Sequence, residues 1–519
     1  MRIVLINPNL VTLRHDPFTT GIVYMPIGLV SVATALAKAH GVLVIDTFGE
    51  APRRVRARDR YLLSGLAPEE TVARIPAGTE AIFLYADRLT NHVALLELLR
   101  AVNAAFPNVP KILLENTQAV TAYALSAIKE ELLAAGADFV LIGEAEETAG
   151  RLLEALASGV PPLGLPGVAF RHEGACHFTE AVPPAADLDR LAFPDWGLIP
   201  LANYWGLRYA HGPFETDRYL PILTSRGCPY PCRFCVIPTT NRRRWRGRSA
   251  KNVVDEMETN LRRFGVSEFH LEDVNPTVSD GRIRELCREI LARKLPILWK
   301  IAAGTKVETI RDETTLQMMR DAGCAYISIS PESGSPRVMR LMDKPFNFPH
   351  ALRLVRDMKR LGITSQACFV LGFPGEEPED RRATAAAVRE LIEAGVDDVT
   401  LSIVTPVPGA AIFSQFEGFD DYSQLNFSPT WRADYRELAR FRRGLYAKAL
   451  WWKLRAAPLT TLRQPFAILR RRFRSKMTMA IYRGLRVAWS ARSADKQVED
   501  RGHGQDGRNR AAVAKQARQ

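Results

Sequence analysis

The chain is expected to be an α/β protein: an N-terminal Rossmann-like doubly wound sheet, then a partial (βα)6 TIM-type barrel, then a basic helical tail. Three observations predict this. Short apolar runs alternate with helical patterns in two series, one over residues 1–160 and one over 216–420. A Pro- and Gly-rich stretch of weak periodicity, 161–215, separates them as a linker. From Arg432 onward there are 23 Lys and Arg against 6 Asp and Glu, which exceeds the whole net charge of +13 and leaves the body slightly acidic. A chain of 519 residues is also too long for one ordinary core.

In the first series the runs "RIVLIN", "VLVID", "AIFLYA", "KILLE" and "FVLIG" read as strands, with helical patterns such as "GLVSVATALAKAHG" and "ALLELLRAVNAAF" between them. Strictly alternating strand and helix predicts a parallel sheet with a ligand crevice at the carboxyl ends of its strands. The turns Asn7-Pro8-Asn9 and Gly143-Glu144 fall at those ends. The linker is expected to hold one hairpin. In the second series "YLPILTS", "EFHLED", "ILWKIA", "AYISIS", "QACFVLG" and "DVTLSIV" read as six barrel strands, whose chemistry belongs on the loops after the strand ends.

Residues 421–494 read as a basic amphipathic region, with no carboxylate between Leu438 and Ala494 and with Trp451, Trp452, Phe466, Phe473 and Trp489 among the arginines. Three readings stay open for it: an anionic membrane surface, packing onto the acidic body, and nucleic acid, the last with no accompanying binding motif. Residues 495–519 are polar, lack aromatics and read as disordered. The start "MRIVLINPN" carries no signal or transit pattern, and no run offers the roughly 20 apolar residues of a spanning helix. The expectation is a cytoplasmic chain, peripheral on the inner face of the membrane.

The chemistry concentrates in "SRGCPYPCRFCVIP", residues 225–238, where Cys228, Cys232 and Cys235 follow the first barrel strand in C-x3-C-x2-C spacing. The other cysteines, Cys176, Cys287, Cys324 and Cys368, are scattered, so the pattern indicates a metal in a reducing compartment rather than a disulfide framework. Three thiolates can hold three irons of a cubane cluster and leave the fourth open to an outside amine and carboxylate. The alternative is zinc with a histidine, for which the nearest candidates, His211 and His270, lack the usual spacing. His270 alternates with apolar neighbours in a strand and reads as structural. Cys287 and Cys324 read as small core residues.

The pattern C-x3-C-x-Φ-C, with Phe234 as the aromatic, resembles the signature of the radical S-adenosylmethionine (SAM) enzymes. The resemblance runs over about residues 215–415, through "SPESGSPRVMRLMDK", "FVLGFPGEEPED" and "TPVPGA". It implies a 4Fe-4S cluster on Cys228, Cys232 and Cys235, whose open iron binds S-adenosylmethionine. Reductive cleavage, fed by an external electron donor such as flavodoxin or ferredoxin, then gives a 5′-deoxyadenosyl radical that takes hydrogen from substrate. Carried over residue by residue, backbone at Phe234 and Val236 meets adenine, Ser330 and Glu332 take the ribose, and Ser333 is a further contact. Glu272 and Asp273 face the methionine ammonium, and Gly372, Pro374 and Gly375 let the backbone approach adenosine.

The N-terminal order "INPN", "PIGL", "VATALAKAHGVLVID" and "GADFVLIGEAEET" resembles the cobalamin-binding domain that precedes many such cores. There is no Asp-x-His-x-x-Gly. The fourth strand ends Leu114-Glu115-Asn116-Thr117 where relatives carry Gly-Gly, which puts a carboxylate where close backbone approach is expected. Methylthiotransferases share the core but carry a second cluster on N-terminal cysteines, and here none precedes Cys176. The resemblance implies methylation of an unactivated carbon in a small-molecule or lipid-like substrate. A radical SAM cyclase or oxidative tailoring enzyme with the same cofactors is the alternative, as is a non-catalytic corrinoid or electron-carrier protein at the membrane.

Overall fold

The computed structural model describes residues 1–180 and 186–491, and the polar stretch 495–519 lies outside them. Ten strands fall in the first third of the chain: β1 (Arg2–Asn7), β2 (Leu10–Leu13), β3 (Gly41–Asp46), β4 (Val55–Arg58), β5 (Tyr61–Ser64), β6 (Ala81–Ala86), β7 (Lys111–Glu115), β8 (Phe139–Leu141), β9 (Val168–His172) and β10 (Ala175–Phe178). The main sheet has the order β10-β9-β8-β7-β6-β1-β3. Its five predicted strands are parallel, and the order reverses between β1 and β6, which opens a crevice above those two strand ends. β1 and β6 show no polar alternation because helices cover both faces: Val4, Leu5, Ile82 and Phe83 are fully buried.

Two features were not read in full from the sequence. The hairpin in the expected linker is β9–β10, and β9 pairs antiparallel with β8, so the sheet runs on to Phe178. A separate antiparallel sheet, β2-β5-β4, sits beside it. Its four-residue strands are too short to show a period.

The second half contributes β11 (Tyr219–Ile222), β12 (Ser225–Arg226), β13 (Arg246–Gly247), β14 (Glu268–Leu271), β15 (Leu298–Thr305), β16 (Cys324–Glu332), β17 (Thr364–Leu371) and β18 (Asp398–Ile403). Six of these form one parallel sheet in sequential order, β11-β14-β15-β16-β17-β18. The crossover helices follow ordinary rules. In Ala250–Phe264, Ser249 Oγ accepts from Asn252 N, the stripe Val253, Val254 and Met257 is buried, and Gly265 at φ +65° ends the helix.

Six strands leave a barrel open between β18 and β11, and the tail crosses that gap. Phe473 is fully buried and its N–H donates to Phe214 O (2.8 Å), beside β11. Ser475 Oγ donates to the Asp398 carboxylate on β18 (2.7 Å), and Lys476 Nζ reaches Ala302 O inside the barrel (2.6 Å). The helix Tyr435–Ala456 buries Leu438, Leu445 and Ala449. The helix Pro458–Arg470 instead exposes Leu459, Leu462, Phe466 and Leu469, one stripe at helical spacing. Packing therefore covers one face of residues 435–456 and the segment around Phe473–Met479, while Leu450 and Trp451 and the stripe of the following helix remain exposed. No helix among the described residues is long and apolar enough to cross a membrane.

The carboxyl ends of the two parallel sheets face each other and are tied by buried polar groups. Arg226 on β12 pairs with Glu146 (2.6 Å) and Glu144 (3.3 Å) from the loop after β8, and Arg246 on β13 closes on Glu144. Asn241 Nδ2 donates to Thr117 O (2.7 Å), and Ala124 N donates to Pro408 O (3.0 Å). Glu115 ends β7, where crowding of a ligand was expected; its buried carboxylate is taken up by backbone. It accepts from Leu125 N (2.7 Å) and Gly143 N (2.6 Å), holding both crevice loops. Burial pushes its pKa up to about 7, against the two backbone N–H groups that lower it.

A carboxyl raised in the folded state favours its neutral form there. Its stabilising contribution is complete below the unfolded pKa near 4.5 and is lost as pH rises through about 7, some 3 kcal/mol by linkage. Glu115→Gln removes that dependence. The melting-temperature advantage of the native chain over the variant should shrink steadily between pH 5 and 8; a pH-independent difference would show that Glu115 does not titrate in this range.

Candidate active site

The cysteine loop leaves β11, forms the two-residue pairing of β12 with β13, and runs from Gly227 to Val236 before the short helix Ile237–Thr240. Gly227 has φ +81°, and a Cβ there would lie 2.0 Å from Arg244 O, so only glycine fits where the loop turns. Asp273 fixes the loop's approach. Its oxygens accept from Thr224 N (2.9 Å), Thr224 Oγ1 (2.8 Å) and Ser225 Oγ (2.5 Å), all buried. The loop is then held on both sides, by Arg233 N on Met342 O (3.0 Å) and Ile412 N on Arg233 O (3.2 Å).

Cys228, Cys232 and Cys235 are free and half-buried on this one loop. Burial pushes all three thiols up, Cys232 to about 11, and the neighbouring cysteines push Cys235 further. Among the described residues no three His, Cys, Asp or Glu side chains already converge on one point, so an inorganic core would draw the three sulfurs together. Among the described residues no group of three or more His, Cys, Asp or Glu includes a histidine or carboxylate beside these cysteines, and three thiolates alone fit an iron cluster with one open corner better than four-coordinate structural zinc. Lys344 stands beside this set. Its Nζ donates to Ser330 O (3.0 Å), pairs with Glu332, and lies 5.9 Å from the Phe234 ring.

The structure divides the other expected contact residues. Phe234 packs against Met339, Met342 and Phe373 at the loop's edge. Ser330 stands near Gly304 on the barrel's inner face, where a Cβ on that glycine would be 3.0 Å from Ser330 Oγ. Glu332 sits at φ +62°, a conformation a non-glycine residue adopts at a cost, held by the Lys344 pair. Glu272 lines the cleft between the two sheets. The other expected contacts have partners within the protein. Asp273 directs its oxygens to Thr224 and Ser225. Val236 is fully buried and its carbonyl accepts from Thr239 N and Thr240 N, so it starts a helix. Ser333 is buried against Thr384 Oγ1 (3.1 Å) and accepts from Ser335 N. Gly372 and Gly375 both have positive φ, and a Cβ at Gly372 would lie 2.4 Å from Leu438, so the turn there needs glycine.

A cleft open to solvent lies between the two sheets. Tyr24, Tyr85, Arg88 and Asn116 line it from the first sheet, and Tyr219, Leu223, Glu272 and Ala303 from the barrel. His211, which the spacing argument set aside as a ligand, also lies in its wall. Its ring stacks on Tyr24 (4.3 Å between centroids), and Nδ1 is 2.6 Å from Glu272 Oε2. Lys476 Nζ approaches Nε2 at 3.3 Å, which makes Nε2 the acceptor and places the ring proton on Nδ1, toward the carboxylate. Burial lowers the His211 pKa to about 4, so the ring is neutral at pH 7. Against the push of burial, His211 holds Glu272 below the usual carboxylate range, leaving an anionic acceptor in an otherwise largely apolar cleft. The sequence offered no sign of this pairing, whose members are 61 residues apart.

Comparison with known proteins now has a site to refer to. The Radical SAM superfamily pattern matches residues 222–388, the cysteine loop included. The chain is 28% identical to an uncharacterized methyltransferase of Pyrococcus horikoshii over 53% of its length, and spans 57% of that protein. It is 26% identical to the cytidylyl-2-hydroxyethylphosphonate methyltransferase of Streptomyces wedmorensis, over 83% of this chain and 85% of that one. The radical S-adenosylmethionine methyltransferase TsrM of Kitasatospora setae, solved with tryptophan and a SAM analogue, superposes with a TM-score of 0.62 at 20% identity, covering 80% of this chain and 75% of that one. The last likeness is one of fold. The barrel segment 222–388, with the three-cysteine loop on it, matches the Radical SAM superfamily, and the pairing of that barrel with a Rossmann-like sheet ahead of it is a fold shared with TsrM.

Proposed function

We propose that the protein is a cobalamin-dependent radical SAM methyltransferase that methylates an unactivated carbon of a small molecule. One observation carries the reading: the strand ends of the Rossmann-like sheet and those of the barrel line the same cleft, and the three-cysteine loop begins just after Leu223, which lines it. Residues 1–160 would hold the corrinoid and residues 216–420 the radical chemistry. A cluster on Cys228, Cys232 and Cys235 would supply the electron that splits S-adenosylmethionine into methionine and a 5′-deoxyadenosyl radical. A corrinoid over the ends of β1 and β6 would supply the methyl group.

The chain's own residues then bind, orient and exclude water. Tyr24, Tyr85, Tyr219 and Leu223 give the cleft walls that shield a reactive radical from solvent. Glu272, kept anionic by His211, would accept a hydrogen bond from an amine or hydroxyl, whether of methionine or of substrate. Ser330 and Glu332, with Lys344, offer the ribose and carboxylate contacts next to the loop. The electron would come from an external one-electron carrier. The uncovered stripe Leu459, Leu462, Phe466 and Leu469, flanked by Arg470, Arg471 and Arg472, suits contact with an anionic membrane surface.

Anaerobically reconstituted protein should bind about four irons and cleave S-adenosylmethionine on reduction. Cys232→Ala should abolish both; full iron content and cleavage in that variant would end the cluster assignment. Protein loaded with hydroxocobalamin and desalted should retain about one equivalent, since a crevice between domains encloses most of such a ligand. Loss of all corrinoid in every redox state would refute methyl transfer from cobalt. Leu462→Glu with Phe466→Glu should abolish sedimentation with anionic vesicles while leaving S-adenosylmethionine cleavage unchanged; equal binding by native chain and variant would remove the membrane contact.

A further inference from the structure

Between Asp217 and Asp255 the sequence has no carboxylate, but it has eight arginines and one lysine. This is the segment that carries the cysteine loop. Most of these charges are neutralised from elsewhere in the fold: Arg226 and Arg246 by Glu144 and Glu146, Arg248 by Glu256 (2.5 Å), Lys251 by Asp255 (2.9 Å), and Arg242 by the exposed Glu180 (3.0 Å). Arg243 and Arg244 are exposed, and among the described residues neither has a carboxylate in ion-pair range.

The turn that presents them is costly in backbone terms. Arg242 and Arg243 are consecutive left-handed residues, at φ +51° and +56°. Each such non-glycine residue costs about 1–2 kcal/mol, which glycine would avoid. The turn is also pressed onto the cysteine loop. Arg243 Nε donates to Pro229 O (3.4 Å), and Arg244 O abuts Gly227, immediately before Cys228. Strain retained where a simpler residue would relieve it, at a functional loop, points to a role for the side chains.

We propose that the turn 242–244 is the docking surface for an acidic one-electron carrier protein that reduces the cluster. The inference rests on the cluster assignment above and adds the place of entry. In the encounter the carrier is oxidised by one electron and the cluster is reduced by one, with no other bond made or broken. An electron crosses protein only over a short gap, and this is a charged surface lying directly against the cysteine loop. The charge suits an acidic partner. A bilayer is less suited, because the Trp245 indole N–H is spent on Asn275 O (3.0 Å) and the exposed residues of the turn are three arginines. Nucleic acid would want aromatic stacking partners that the turn also lacks.

The test uses the reconstituted full chain and Arg243→Glu with Arg244→Glu. S-Adenosylmethionine cleavage is driven either by reduced flavodoxin, an acidic carrier, or by photoreduced deazaflavin, a small reductant that needs no docking surface. The variant should be slower by about 10-fold with flavodoxin and unchanged with deazaflavin, and added salt should slow only the native chain. Flavodoxin affinity, read directly by titration, should weaken in parallel, and Arg243→Lys with Arg244→Lys should restore most of it. Unchanged flavodoxin affinity in the Glu variant would overturn the proposal, as would equal loss with both reductants that lysine does not rescue. Loss of single-stranded DNA or anionic-vesicle binding, with flavodoxin binding intact, would overturn it in favour of those partners. Absence of cleavage with either reductant in the native chain would fault the cluster reading instead, and the affinity titration would still decide the surface.

Discussion

The arrangement depends on the buried ion-pair net of Arg226, Glu144, Glu146 and Arg246. Each of the four side chains is about 10% exposed, in a position where an unpaired charge would be expensive. Two arginines from the strands bracketing the cysteine loop meet two glutamates from the loop after β8, so the net stands only when both sheets are present and correctly opposed. Breaking a buried pair costs about 3–5 kcal/mol because the remaining charge is left without a partner. The net therefore fixes the relative position of the sheets more strictly than apolar contact would, since ion pairs tolerate little displacement.

With the sheets opposed, the loops at their carboxyl ends satisfy one another. Glu115 holds the loops at Leu125 and Gly143, Asn241 reaches Thr117, and Pro408 accepts from Ala124. The cleft is what remains between these ties. Its wall is completed from a third direction, because a six-stranded barrel has an open side and the chain covers it with Phe473, Ser475 and Lys476. Lys476 then sets the proton position on His211, which in turn holds Glu272 as an anion. A residue from the far end of the chain thus conditions the polar group of the cleft, through contacts that depend on closure of the barrel.

Three of the nine left-handed non-glycine residues among the described residues lie at the site. Glu332 at φ +62° is held by Lys344 at the inner face of the barrel, and Arg242 and Arg243 sit against the cysteine loop. Elsewhere the elements obey their local signals, with Ser249, Ser279 and Asp312 capping helices by side-chain acceptance from backbone N–H groups.

By itself the sequence determined the elements and the principal chemistry. "RIVLIN" and "AIFLYA" are apolar enough to be strands buried on both faces, and the alternation with helices forces parallel pairing. Cys228, Cys232 and Cys235 fall within eight positions, so their proximity needs no fold to establish it. Tertiary structure decided everything that joins distant residues. Asp273 and Ser333 look available in the sequence, yet burial gives them partners inside the protein, and a buried carboxylate or hydroxyl must be satisfied where it lies. Glu115 looks like an obstruction, but the direction of its side chain makes it a brace. His211, Glu272 and Lys476 carry no shared pattern, because they come from a linker, a strand end and the tail. The basic tail was ambiguous for the same reason: composition states that a segment is apolar and charged, and only packing tells which of its apolar side chains are covered.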